Sequence, residues 1–129
     1  MTRTIFLGTP AFAVPSLEAV DRLCDRGALE LVAVVTQPDR AGDRGTLSVP
    51  AVKARALAFG VQLLQPTRID EAALRDIAGL RPELLVWAAY GNRVPRSLLE
   101  LVNGRAVNVH ASLLPRWRGA APVAYAILA

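Results

Sequence analysis

Cysteine, histidine and lysine each occur once in this chain, as Cys24, His110 and Lys53. A lone cysteine excludes an intrachain disulfide. One histidine with one cysteine is too few for a usual transition-metal site, so no metal is expected. Long apolar runs are missing too. The richest, Leu84 to Tyr90, falls far short of the roughly 20 residues of a membrane span, so no membrane partner is expected. Pro10 and Pro15 interrupt the segment after Arg3, which argues against a secretory signal and for a cytoplasmic location. Gly8-Thr9-Pro10 lacks the Gly-x-Gly-x-x-Gly spacing and the Gly-Lys-Ser/Thr ending of dinucleotide and ATP loops. No acidic residue follows Glu100, and no internal repeat or low-complexity segment is present.

What is there suffices for a core. The chain has 129 residues, 53% hydrophobic and 20% charged, which places it among folded domains and away from disorder. Residues 1–129 read as a single domain. The net charge is +4 and the sequence pI about 10.2, a balance compatible with an RNA partner. The arginines are scattered rather than clustered, so charge alone adds little to that reading. Cys24, in an amphipathic segment, reads as a small apolar group rather than a reactive thiol.

Strand and helix signals alternate. Thr4–Leu7 reads as a buried strand, Pro15 to about Arg26 as a helix with Leu17, Val20, Leu23 and Cys24 on its apolar stripe, and Leu29–Val35 as a second strand. A long loop is expected over Gln37–Val49. A helix from Pro50 to Gly60 follows, with Val52, Ala56 and Leu57 on one side, then a short strand at Val61–Leu64. Asp70 reads as the N-cap of a helix through Ile77. Leu84–Ala88 is apolar on both faces, as in a central strand. Pro95–Leu101 is a short helix, Ala106–Val109 a fifth strand, and a last helix is expected from Pro122 to Ala129. The pattern predicts an α/β fold, an open and mostly parallel Rossmann-like sheet with helices on both faces. Ligands of such sheets bind beyond the carboxyl ends of the strands. Gly8-Thr9-Pro10, Thr36-Gln37, Tyr90-Gly91 and His110 all fall there.

Asn108 and His110 are the chemically sharpest pair. Alternate residues of a strand point to one side, so both face one space. A carboxamide donor beside an imidazole suits a reaction that builds negative charge on a carbonyl oxygen while moving protons. Trp87, inside an apolar strand, reads as core, whereas Trp117, between Arg116 and Arg118, is better placed for an exposed role.

Six stretches, taken together, carry a resemblance: Phe6-Leu-Gly-Thr-Pro10, Phe12 to Leu17, Val35-Thr-Gln-Pro-Asp-Arg40, Gln65-Pro66, Ala89-Tyr90-Gly91, and Asn108 to Pro122. In this order they resemble the N-terminal part of the methionyl-tRNA formyltransferase family. The resemblance implies transfer of a formyl group from 10-formyltetrahydrofolate to the amino group of methionyl-initiator-tRNA. Asn108 then matches the catalytic asparagine that donates to the oxyanion, and His110 the catalytic histidine. Ser112-Leu113-Leu114-Pro115 matches the folate-binding stretch, a loop stiffened by its proline, and Tyr90-Gly91-Asn92 is a candidate for the pterin side. The loop at Gln37–Val49 corresponds to an RNA-facing insertion in which Arg40 and Arg44 would contact phosphates. The family pattern carries two lysines after an Arg-Gly pair, where this chain has Thr46-Leu47, and fewer phosphate contacts follow.

The family's orienting aspartate belongs to a motif beyond residue 129, as does its RNA-binding barrel. A C-terminally truncated chain, inactive or nearly so by itself, is therefore the expectation. Two alternatives remain: another folate-dependent formyltransferase or hydrolase, and a non-catalytic folate-binding remnant.

Overall fold

Buried residues on both faces of a strand demand a cover on both sides, and the central strands here have that property. The computed structural model describes residues 1–41, 47–110 and 127–128. Its main sheet contains β1 (Thr2–Gly8), β2 (Leu29–Val35), β5 (Leu63–Leu64), β6 (Leu84–Ala88), β7 (Ala106–Val109) and β8 (Ile127–Leu128), in the order β5-β2-β1-β6-β7-β8. The first five are parallel, and β8 runs antiparallel to β7 at the edge. A short 3₁₀ turn, Ala11–Ala13, leads into α1 (Val14–Asp25), which carries Pro15 in its first turn, where a missing N–H costs nothing.

Alternation along β1 divides the interior in two. Phe6 points towards α1 and α2 (Ala51–Phe59), where it meets Ala13, Leu17, Val20, Val52 and Ala56. Ile5 and Leu7 point the other way, towards α3 (Glu71–Gly79) and α4 (Arg96–Leu101), among Ala73, Ile77 and Leu98. Each such fully buried large apolar side chain contributes about 1.5–3 kcal/mol. The predicted three-layer α/β architecture is present.

Four expectations need correction. Ile127 and Leu128 form a strand, paired Val107↔Ile127 and Ala106↔Leu128, and not the end of a helix. An unbroken apolar run has no period to separate helix from strand, and the open edge of β7 supplies a ladder. Within the loop after β2, Arg40–Ala41 (β3) pairs antiparallel with Leu47–Ser48 (β4), forming a two-stranded arm. Leu57 is 58% exposed, because five residues of helix turn it about 140° away from Val52. Leu23 is 41% exposed and leaves the stripe of α1, whereas Cys24, half-buried, packs against the same core as Leu17 and Val20. Burial is the leading influence on the Cys24 thiol and pushes its pKa up, away from the reactive thiolate. No helix among the described residues is long and apolar enough to cross a membrane.

Candidate active site

The carboxyl ends of β1, β2, β5, β6 and β7 meet at one rim, and polar side chains cluster along it. At the end of β1, Thr9 Oγ1 donates to the Tyr90 carbonyl at 2.6 Å and accepts from the Gln37 amide at 3.2 Å. One hydroxyl thus ties together the segments that follow β1, β2 and β6. Gly8 lets these strands close. A Cβ there would lie 2.9 Å from both Ala13 Cβ and the Ala88 carbonyl oxygen.

Asn108 lies on β7 directly across from Trp87 on β6. Its Nδ2 donates to His110 Nε2 at 3.1 Å. With Nε2 accepting, the imidazole carries its proton on Nδ1 and presents a lone pair beside the carboxamide. A carbonyl substrate entering here would take the amide N–H and leave Nε2 free to accept a proton. Trp87 packs against the core as expected, but it is only partly buried and also walls the same recess, together with Phe12, Asn108 and His110. The recess measures about 290 Å³. No carboxylate bonds to His110 among the described residues.

Tyr90, Gly91 and Asn92 line this recess too, each in a particular way. The Tyr90 ring is buried in the core, 2% exposed, with its hydroxyl lacking a partner among the described residues, so the backbone is what remains for a ligand. Burial raises the Tyr90 pKa and keeps the phenol neutral. Ala89 and Gly91 both have positive φ, 50° and 88°, so the chain reverses sharply there. Asn92 is engaged with the neighbouring loop, its Nδ2 donating to the Thr67 carbonyl at 2.8 Å.

Ala89, Tyr90 and Gly91 also wall a larger chamber of about 640 Å³. Thr9, Pro10 and Gln37 line it, as do Arg40 and Ser48 of the arm. Arg40 is exposed at the arm's root, whereas Arg44 and Ser112, Leu113, Leu114 and Pro115 lie outside the described residues. The sequence placed Thr9 at the rim but marked no role for Asp39, Lys53 or Gln65. Asp39 accepts from Lys53 Nζ at 2.8 Å and from Gln65 Nε2 at 2.9 Å. Those two hydrogen bonds, from Lys53 and then Gln65, hold the Asp39 carboxyl below the usual carboxylate range. The signal available was position, since Asp39 and Gln65 each follow closely after a strand. No cluster of three metal-ligating side chains occurs among the described residues.

The fold places the chain among open parallel α/β proteins whose ligands bind beyond the strand ends, and comparison with known proteins gives its family. The formyl transferase family matches residues 2–129, and the chain belongs to that family. It is 51% identical over 127 residues to the methionyl-tRNA formyltransferase of Anaeromyxobacter dehalogenans strain 2CP-C, an alignment covering 97% of this chain and 39% of the relative. Identity to the methionyl-tRNA formyltransferase of Listeria innocua is 48% over 130 residues, covering 99% of this chain and 40% of the relative. The chain thus spans about two fifths of the length of these relatives. Among solved structures, glycinamide ribonucleotide transformylase 1 from Geobacillus kaustophilus superposes with a TM-score of 0.63 at 25% identity, covering 92% of this chain and 63% of that one. Phosphoribosylglycinamide formyltransferase from Bacillus halodurans gives a TM-score of 0.63 at 19% identity, covering 88% and 58%, and shares the fold.

Proposed function

We propose that this chain carries the formyl-transfer site of a methionyl-tRNA formyltransferase, with 10-formyltetrahydrofolate as donor and methionyl-initiator-tRNA as acceptor. The supporting observation is the Asn108–His110 pair, 3.1 Å apart at the mouth of a recess beside a larger chamber. The acceptor amine attacks the formyl carbon. Asn108 donates to the oxygen as it gains charge, and His110 Nε2 takes the proton that the amine sheds. The bond to the donor nitrogen then breaks, and that nitrogen receives the proton held on His110. The Tyr90–Asn92 backbone and the stretch from Ser112 to Pro115 hold the donor. The chamber lined by Arg40 and Ser48 receives the acceptor, and Arg40 and Arg44 are the cations assigned to its phosphates. This reaction serves translation initiation in the cytoplasm.

The remaining three fifths of the relatives' length supplies, on this reading, an orienting carboxylate for His110 and an RNA-binding domain. Residues 1–129 alone are accordingly inactive or nearly so. To test the reading, residues 1–129 are joined to the remaining length of the Anaeromyxobacter relative and offered methionyl-tRNA and glycinamide ribonucleotide in competition. Formylation of the tRNA alone is expected; preferential formylation of the nucleotide would overturn the acceptor assignment. Calorimetric titration of residues 1–129 with a tetrahydrofolate analogue tests the donor side, and Pro115→Gly is expected to bind more weakly. No heat with either protein would remove folate binding from this chain.

A further inference from the structure

We propose that Asp39 is a positioning residue: through Lys53 and Gln65 it fixes the root of the β3–β4 arm, and the arm shapes the chamber that receives the acceptor. The identity of that acceptor rests on the reading above.

Asp39 sits between the end of β2 and the start of β3. Its two carboxylate oxygens are divided between two elements. Oδ2 accepts from Lys53 Nζ on α2 at 2.8 Å, and Oδ1 accepts from Gln65 Nε2, just after β5, at 2.9 Å. Gln65 Nε2 also donates to the Gln37 carbonyl at 3.1 Å. One carboxylate therefore joins the chain leaving β2, the chain leaving β5 and the first turn of α2. The arm returns directly into α2 through Pro50, and α2 is itself held to the rim by the Val52 amide, which donates to the Thr9 carbonyl at 3.2 Å.

The arm needs this anchor. Among the described residues its ladder has two pairs, Arg40↔Ser48 and Ala41↔Leu47, and a two-stranded ribbon is marginally stable at best in water. The choice of cation is informative too. Lys53 is the single lysine among the fifteen Lys and Arg residues of the sequence, and it stands here. An ammonium is a point donor that takes one carboxylate oxygen and leaves the other for Gln65, where a guanidinium fork would compete for both. The Lys53 and Asp39 side chains are each 21% exposed, so the pair is partly shielded from water. Asp39, Lys53 and Gln65 do not themselves line the chamber, whereas Arg40, Ser48 and Val49 of the arm do. The carboxylate acts on the chamber wall, not on a ligand.

The test compares wild type with Asp39→Asn. Hydrogen–deuterium exchange of the 129-residue chain is expected to speed up at Arg40, Ala41, Leu47 and Ser48 by about threefold or more, with the amides of β1 and β6 unchanged. In the joined enzyme, the KM for methionyl-tRNA is expected to rise about fivefold or more, with kcat and the donor KM held within about twofold. Lys53→Met removes the ammonium, keeps the carboxylate and the Gln65 bond, and is expected to act in the same direction; it is the variant read if Asp39→Asn fails to fold. Unchanged exchange in the arm would overturn the positioning role. A loosened arm with an unchanged acceptor KM would overturn its link to the acceptor. A wild-type enzyme that formylates no methionyl-tRNA defeats the functional reading instead, and the exchange data still decide the clamp.

Discussion

Gly8 shows how much a single position at the rim constrains. An added methyl group would come within 2.8 Å of Phe6 Cε1 and 2.9 Å of both Ala13 Cβ and the Ala88 carbonyl oxygen. The Phe6 ring is packed in the core, and the other two atoms cannot swing aside. Gly8→Ala is therefore expected to destabilise by about 1–3 kcal/mol through overpacking, read as a lower urea midpoint with an unchanged slope. A midpoint equal to wild type would mean that the strand ends part at little cost. Asn108 and His110 make the opposite kind of demand, on chemistry instead of space. Their proximity was legible in the sequence, since residues two apart on a strand share a face. The hydrogen bond between them, and hence the imidazole tautomer, required coordinates.

Among the elements, α3 is the one whose start was plainest in the sequence. Asp70 accepts from the Ala73 amide at 3.0 Å, satisfying one of the N–H groups that a helix leaves unpaired. Asp70→Ala is expected to cost about 1 kcal/mol, measured by thermal or urea unfolding. The arm lies at the other extreme. Its strands are two residues long and mix Arg40 and Ser48 with apolar neighbours, so neither alternation nor an Asn-Gly turn marks it. What holds its root is a contact among residues 39, 53 and 65, far apart in sequence and invisible to local patterning. That contact has a pH signature. The Asp39 carboxyl is depressed in the folded chain, chiefly by the Lys53 hydrogen bond and next by that of Gln65. Its stabilising effect is thus fully present above the ordinary carboxylate pKa of about 3.9 and is lost as pH falls through the lower folded value. The stability gap between wild type and Asp39→Asn is expected to stay constant above about pH 5 and to close as pH falls below about 4. A gap that persists at low pH would deny the ion pair its role.

At the scale of the whole molecule, alternation of strand and helix signals was enough to specify a parallel sheet covered on both faces, because βαβ connections leave few other solutions. The strand order β5-β2-β1-β6-β7 was not legible, since the five strands are similarly apolar and pairing depends on which faces the helices cover. The antiparallel edge β8 was misread because Ile127-Leu128 sits in an apolar run with no distinguishing period. The candidate site was legible where strand ends carry chemistry, at Asn108, His110 and the Tyr90–Asn92 turn. It was hidden where polar groups from separate strands meet, as in the hydrogen bonds of Thr9 and the clamp at Asp39. The measurement that bears most directly on the whole account is single-turnover formylation of methionyl-tRNA by the joined enzyme, wild type against Asn108→Ala. A rate loss of about 10²–10³-fold, or roughly 3–4 kcal/mol of transition-state stabilisation, is expected with folate binding retained. An Asn108→Ala enzyme as fast as wild type would contradict the account.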